Sequence, residues 1–186
     1  MNNQKTRTLC LGAVCIALAL ALSYIEIQIS AAFGGFGGSI DFVMVPLVVF
    51  SMCAGAPWGI GAGFVFGIMK YLFANGLAVS WVSILLDYSI AYAAVGFAGL
   101  LRTHYRAMPL AALIGCAARF LVHFASGVTV YAQYMPEVFM DMPMTSPTIY
   151  SILYNGTYML PNTILAIAVC ALLIRPMERL DKIVQM

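Results

Sequence analysis

Six stretches of the chain run apolar for a membrane span or nearly so, at about 7–29, 40–54, 57–74, 78–101, 108–133 and 148–174. A crossing helix needs roughly 20 apolar residues, so the second and third stretches are short. Only AGAP, Ala54 to Pro57, separates them, which predicts a tight re-entry turn. Because lipid offers no partner for a free peptide group, every spanning stretch must close its own hydrogen bonds as helix. The pattern predicts an all-α integral membrane protein, a single domain over 1–186 built as a six-transmembrane-helix bundle. The first run follows Lys5 and Arg7 as a secretory leader would, yet it continues to about Ile29 with no small-residue cleavage pattern, and it reads as the first helix.

Basic residues orient the bundle. Lys5 and Arg7 precede helix 1, Arg102 and Arg106 fall between helices 4 and 5, and Arg175, Arg179 and Lys182 follow helix 6. The opposite connections, about 30–39, 74–78 and 134–147, hold no Lys or Arg. The positive-inside rule then puts both termini in the cytoplasm, as an even number of spans requires. Loop 30–39, SAAFGGFGGS, is expected as an external lid, and 134–147 as a second external loop. Gly55, Gly59, Gly63 and Gly67 recur every fourth residue, a face along which another helix can approach closely.

Composition agrees: 63% of the 186 residues are hydrophobic and 9% charged, against about 25% charged in soluble domains. A net charge of +2 without basic clusters gives no footprint for nucleic acid. The five cysteines, Cys10, Cys15, Cys53, Cys116 and Cys170, show no C-x-x-C pair and are read as small buried hydrophobes; no metal site or cofactor is expected.

The exceptions to the apolar pattern carry the chemistry. Asp87 stands inside helix 4, about nine residues from its outer entry and so ~13 Å deep at 1.5 Å per residue. A carboxylate there faces a partner, a cavity or a ligand. His123 in helix 5 lies at similar depth, on one stripe with Arg119, Gly127 and Tyr131. In helix 6, YSILYNG places Tyr150 and Tyr154 one turn apart, with Asn155 beside them. These groups converge on the outer half of the bundle and suit a small, flat, cationic heteroaromatic: carboxylate for charge, aromatic faces for cation–π contact, an amide for donor and acceptor edges. A structural ion pair between Asp87 and Arg119 or His123 is the competing reading. Lys70, near the outer end of helix 3, is expected to snorkel to the surface, and Tyr134 to sit in the interfacial belt.

The same residues resemble a known family. LLDYSIAYAAVGFAGLLR, RFLVHFASGVTVYAQY and YSILYNG are similar to the thiamine-specific substrate-binding (S) components of energy-coupling factor transporters, prokaryotic vitamin importers of the plasma membrane. The resemblance implies a high-affinity thiamine-binding subunit with Asp87, Tyr88, His123, Tyr131, Tyr150 and Asn155 as substrate contacts. Phe36 stands in for a loop tryptophan of the family. Two departures are visible: Asp87 replaces a glutamate and Tyr131 a tryptophan. The resemblance also implies partners, a transmembrane coupling subunit and two ATPase subunits, docked through small residues of helix 1, Ala13 and Ala17. The subunit itself is expected to be no enzyme and to hold no ATPase site. Two other readings remain: an S component for another small heterocycle such as a thiamine precursor pyrimidine, and an intramembrane enzyme using Asp87 and His123 as acid and base. No H-E-x-x-H or nucleophile elbow supports the enzyme.

Overall fold

The computed structural model describes residues 3–29, 37–74 and 76–185, the side chains of Asn3 and of 181–185 excepted. Phe36, and most of the lid expected at 30–39, lie outside the described residues. Among those described, α1 spans Asn3–Leu22 and leads into a two-residue hairpin, β1 (Ile27–Gln28) pairing antiparallel with β2 (Ser39–Ile40). Then come α2 (Met44–Ala54), α3 (Ala56–Phe73), α4 (Trp81–Leu101) and α5 (Met108–Thr129). A second hairpin, β3 (Val138–Phe139) with β4 (Met142–Pro143), precedes the long α6 (Pro147–Gln185). Five of the six helices are long and apolar enough to cross a bilayer.

The sixth, α2, has 11 residues, about 17 Å at 1.5 Å per residue, roughly half a hydrocarbon core. It sits inside the bundle, with Met44, Leu47, Val48, Phe50 and Met52 almost fully buried. The chain reaches it from β2 through a bend at Phe42, and just before the helix Asp41 Oδ1 accepts the Val43 N–H at 3.1 Å. The turn into α3 rests on Gly55, whose φ of 96° lies in the left-handed region glycine favours.

The glycine face of α3 meets α4 with no clearance. A Cβ on Gly63 would stand 2.1 Å from the Tyr92 carbonyl oxygen, and one on Gly67 2.3 Å from that of Tyr88. Gly96 and Gly99 of α4 reciprocate against the backbone of Ile60 and Ala56. This seam is two backbones in direct contact, as small residues permit in lipid.

Two expectations are corrected, for helix 1 and for the cysteines, and helix 4 adds a feature the pattern did not address. Helix 1 ends at Leu22 rather than near residue 29; Ile25, Glu26, Ile27 and Gln28 alternate apolar and polar, the period of a strand, and they turn in over the bundle. Helix 4 is not uniform α: Ile84–Ile90 is a π-helical stretch and Val95–Leu101 is 3-10. Of the cysteines, Cys15, Cys116 and Cys170 are buried, but Cys10 is exposed. On α1, Ala13 and Ala17 both face outward while Gly12, Cys15 and Ala19 face the bundle.

Candidate substrate cavity

The first hairpin and α3 to α6 enclose a cavity of about 140 Å³, far more than one or two waters need. Asp87, Tyr88, His123, Tyr131, Tyr150 and Asn155 all line it.

The π-helical stretch carries Asp87 and Tyr88; such wide turns occur often at functional sites. Asp87 Oδ1 lies 3.2 Å from His123 Nδ1, and Arg119 Nε donates to His123 Nε2 at 3.3 Å. A guanidinium N–H can only donate, so Nε2 accepts, the ring proton sits on Nδ1, and it is given to Asp87. His123 is thereby a neutral bridge between an anion and a cation. Of the two structural pairings open for Asp87, the one with His123 is present. Arg119 instead donates to the Tyr92 hydroxyl at 3.0 Å, and its guanidinium lies 4.1 Å from that ring's centroid. Asp87 Oδ2 is buried and makes no hydrogen bond of good geometry.

Tyrosines wall the α6 side. Tyr150, Tyr154 and Tyr158 follow at four-residue spacing with ring centroids 5.6 and 5.9 Å apart, and Phe139 of β3 stacks edge-on against Tyr150 at 5.4 Å. Asn155 is held from both ends: its Nδ2 donates to the Ser151 carbonyl at 2.9 Å, and its Oδ1 accepts from the Tyr158 hydroxyl at 2.6 Å. One lone pair of Oδ1 remains. Tyr88 offers its ring, because its hydroxyl donates to the Leu77 carbonyl and accepts the Leu77 N–H. Just beyond α5, burial and then the negative charge of Asp87 raise the Tyr131 phenol above its ordinary pKa, keeping it protonated beside Asp87 and Ser83.

Glu26 and Gln28 of the hairpin, with Tyr92 and Tyr158, also line the cavity and are residues the sequence pattern did not single out; Tyr154, which it did, lines the cavity with them. Lys70 does not snorkel; it is 8% exposed and its Nζ lies 3.0 Å from Asp41 Oδ2 and 4.0 Å from Glu26 Oε2. An anion 29 residues away in sequence turns it inward. Asn162, in α6, fixes this corner by accepting the Asp41 N–H at 2.9 Å and donating to the Ser39 carbonyl at 2.8 Å. The Tyr154 hydroxyl donates to the Gly37 carbonyl, tying the second strand's approach to α6.

The formal charges do not cancel. Glu26, Asp41 and Asp87 give −3, Lys70 and Arg119 give +2, and neutral His123 gives nothing, leaving −1.

The family model described as thiamine transporter protein matches residues 9–182. The chain belongs to this thiamine transporter family. The thiamine transporter ThiT of Bacillus subtilis is 30% identical over 159 residues, covering 78% of this chain and 80% of the relative. That of Lacticaseibacillus paracasei is 27% identical over 180 residues, covering 87% and 84%. The fold is that of a solved ThiT from Listeria monocytogenes, with a TM-score of 0.81 at 21% identity over 96% of this chain and 98% of that one. As a thiamine transporter with several apolar helices, the chain is a multi-pass protein of the bacterial cell membrane.

Proposed function

We propose that the cavity binds thiamine and that the chain is the substrate-capturing S component of an energy-coupling factor importer, with no ATPase site of its own. The observation that carries this reading is the uncompensated formal charge of −1 around the buried Asp87 carboxylate. A buried net charge is costly until something balances it. Thiamine does so once, through a thiazolium whose quaternary nitrogen has no N–H and answers to charge and π faces rather than hydrogen bonds. Tyr131, Tyr150 and the ring of Tyr88 supply those faces. Asp87 and Asn155 are assigned to the charge and to the aminopyrimidine edge, with His123 holding Asp87 in place.

Delivery rests on separate features. Ala13 and Ala17, exposed one turn apart on α1, form the face assigned to the coupling subunit, which works with two ATPase subunits. Both termini are assigned to the cytoplasm, loop 30–39 to an external lid and 134–147 to the external surface. The deciding experiment is a titration of the purified full chain in detergent with thiamine, followed by intrinsic fluorescence, with a precursor aminopyrimidine as competitor. Saturable binding of thiamine at or below micromolar concentration is expected. A flat titration, or tighter binding of the pyrimidine alone, rejects thiamine as the substrate.

A further inference from the structure

Lys70 and Glu26 form an ion pair with a gap of a particular size. Their closest approach, Nζ to Oε2, is 4.0 Å, too long for a direct hydrogen bond, which needs about 2.7–3.2 Å. Neither side chain is spare surface: both line the cavity, with side-chain exposures of 10% and 20%. Lys70 is pinned by Asp41 Oδ2 at 3.0 Å. Glu26 is pinned by Ser39 Oγ, which donates to Oε2 at 2.7 Å, and by Gln28 Nε2, which donates to Oε1 at 3.0 Å. The two ends therefore cannot close on each other without giving up bonds they already have.

Each end has capacity left. An ammonium has three donors and a carboxylate oxygen two lone pairs; Lys70 uses one N–H on Asp41, and Glu26 Oε2 one lone pair on Ser39. An oxygen placed ~2.8 Å from both atoms subtends an angle of about 90° between them. That is about 20° inside the tetrahedral angle between a lone pair and the O–H bond of an alcohol, a departure that hydrogen bonds tolerate. A single hydroxyl fits, accepting from Lys70 and donating to Glu26. A bare carboxylate or phosphate oxygen has no proton for Glu26 and meets its negative charge; an ammonium has no lone pair for Lys70.

We infer that Lys70 and Glu26 are specificity-determining residues that read a neutral hydroxyl on the ligand. The inference rests on the thiamine reading, since thiamine carries a primary alcohol on its thiazolium side chain, and it assigns that alcohol to the gap. Recognition is then divided. The α4–α6 wall answers charge and ring, and the hairpin with α3 answers the alcohol.

The test compares thiamine with the analogue in which the hydroxyl is replaced by hydrogen, both titrated against the full chain in detergent. The wild-type chain is expected to prefer thiamine by about tenfold or more, the loss expected for one hydrogen bond to a charged group. Lys70→Met combined with Asp41→Asn removes a cation and an anion together, keeps the cavity at −1 and leaves no orphaned Asp41 carboxylate. In that variant the preference should collapse to within about twofold through weaker thiamine binding, with the analogue unchanged. Glu26→Ala, on the more exposed partner, should also shrink the preference, and it decides the matter if the double variant does not fold. Equal affinities in the wild-type chain, or a preference that survives in the folded variants, overturn the inference and leave a water as the bridge. A wild-type chain that binds neither compound refutes the functional reading, and this inference falls with it.

Discussion

Asp87→Asn is the sharpest perturbation of the cavity, because it changes charge and almost nothing else. The amide oxygen of Asn at this position still accepts the His123 Nδ1 proton across the present 3.2 Å, so Arg119 keeps its acceptor and the chain from α4 to α5 survives. What changes is the other oxygen, now buried without a partner, which becomes an NH2 group. The cavity's formal charge moves from −1 to zero, and a buried acceptor becomes a donor. Loss of one hydrogen bond to a charged group costs about 1.5–3 kcal/mol. The Coulomb attraction of a cation ~4 Å away at an effective dielectric of ~20 is about 4 kcal/mol, part of which offsets the ligand's desolvation. The lower figures alone give roughly a 10- to 150-fold rise in Kd for thiamine. Titration by intrinsic fluorescence measures it, and a thermal melt confirms that the variant is folded. Folded Asp87→Asn that binds thiamine like the wild type would show that Asp87 serves the bundle and not the ligand.

Other expectations address the frame. Gly63→Ala puts a methyl carbon 2.1 Å from the Tyr92 carbonyl and should lower the melting temperature by separating α3 from α4, at a cost of about 1–3 kcal/mol. Gly61→Ala, with open space around its position, should be neutral or stabilising by up to about 1 kcal/mol; equal effects at both sites would refute the seam. Ala13→Trp with Ala17→Trp should leave thiamine affinity of the isolated chain near normal while co-purification with coupling and ATPase subunits falls and uptake stops. Surviving uptake removes this face as the dock. Cysteines introduced at Asp141 should react in intact cells and at His104 only after permeabilisation; labelling of 104 in intact cells contradicts cytoplasmic termini.

Much of the bundle was legible because a membrane leaves few choices. Apolar runs of the right length must be helices, and a glycine every fourth residue must meet a neighbour, as Gly59, Gly63 and Gly67 do. Asp87 and His123 stood out for the same reason, being costly where they lie. The differences have separate causes, the first being that apolar length alone hides a change of period. SYIEIQIS is apolar enough to extend helix 1, yet its apolar residues alternate, and only the strand period exposes Glu26 and Gln28 to the cavity. The position of Lys70 near a helix end points to the surface; its partner Asp41 lies between β2 and α2, 29 residues earlier, and only tertiary structure brings it alongside. The hydroxyl of Tyr88 could not be foreseen as engaged, for it closes on the backbone of a loop 11 residues earlier. Tyr158 continued the visible spacing of Tyr150 and Tyr154, and one further turn of the same count reaches it.

The seam between α3 and α4 has a kinetic consequence. Where a glycine Cα faces a carbonyl with no room for a methyl group, at Gly67 against Tyr88, the helices have nothing compressible between them and cannot slide without parting altogether. The backbone that presents Asp87 is thus stiff. Among the described residues, the hairpin corner is tied to the bundle through side chains, by hydrogen bonds from Asn162 and Tyr154 and by the Lys70–Asp41 ion pair, each of which can break singly. Access on the hairpin side is therefore the expectation, and substitutions that loosen this corner should speed filling and emptying of the cavity together.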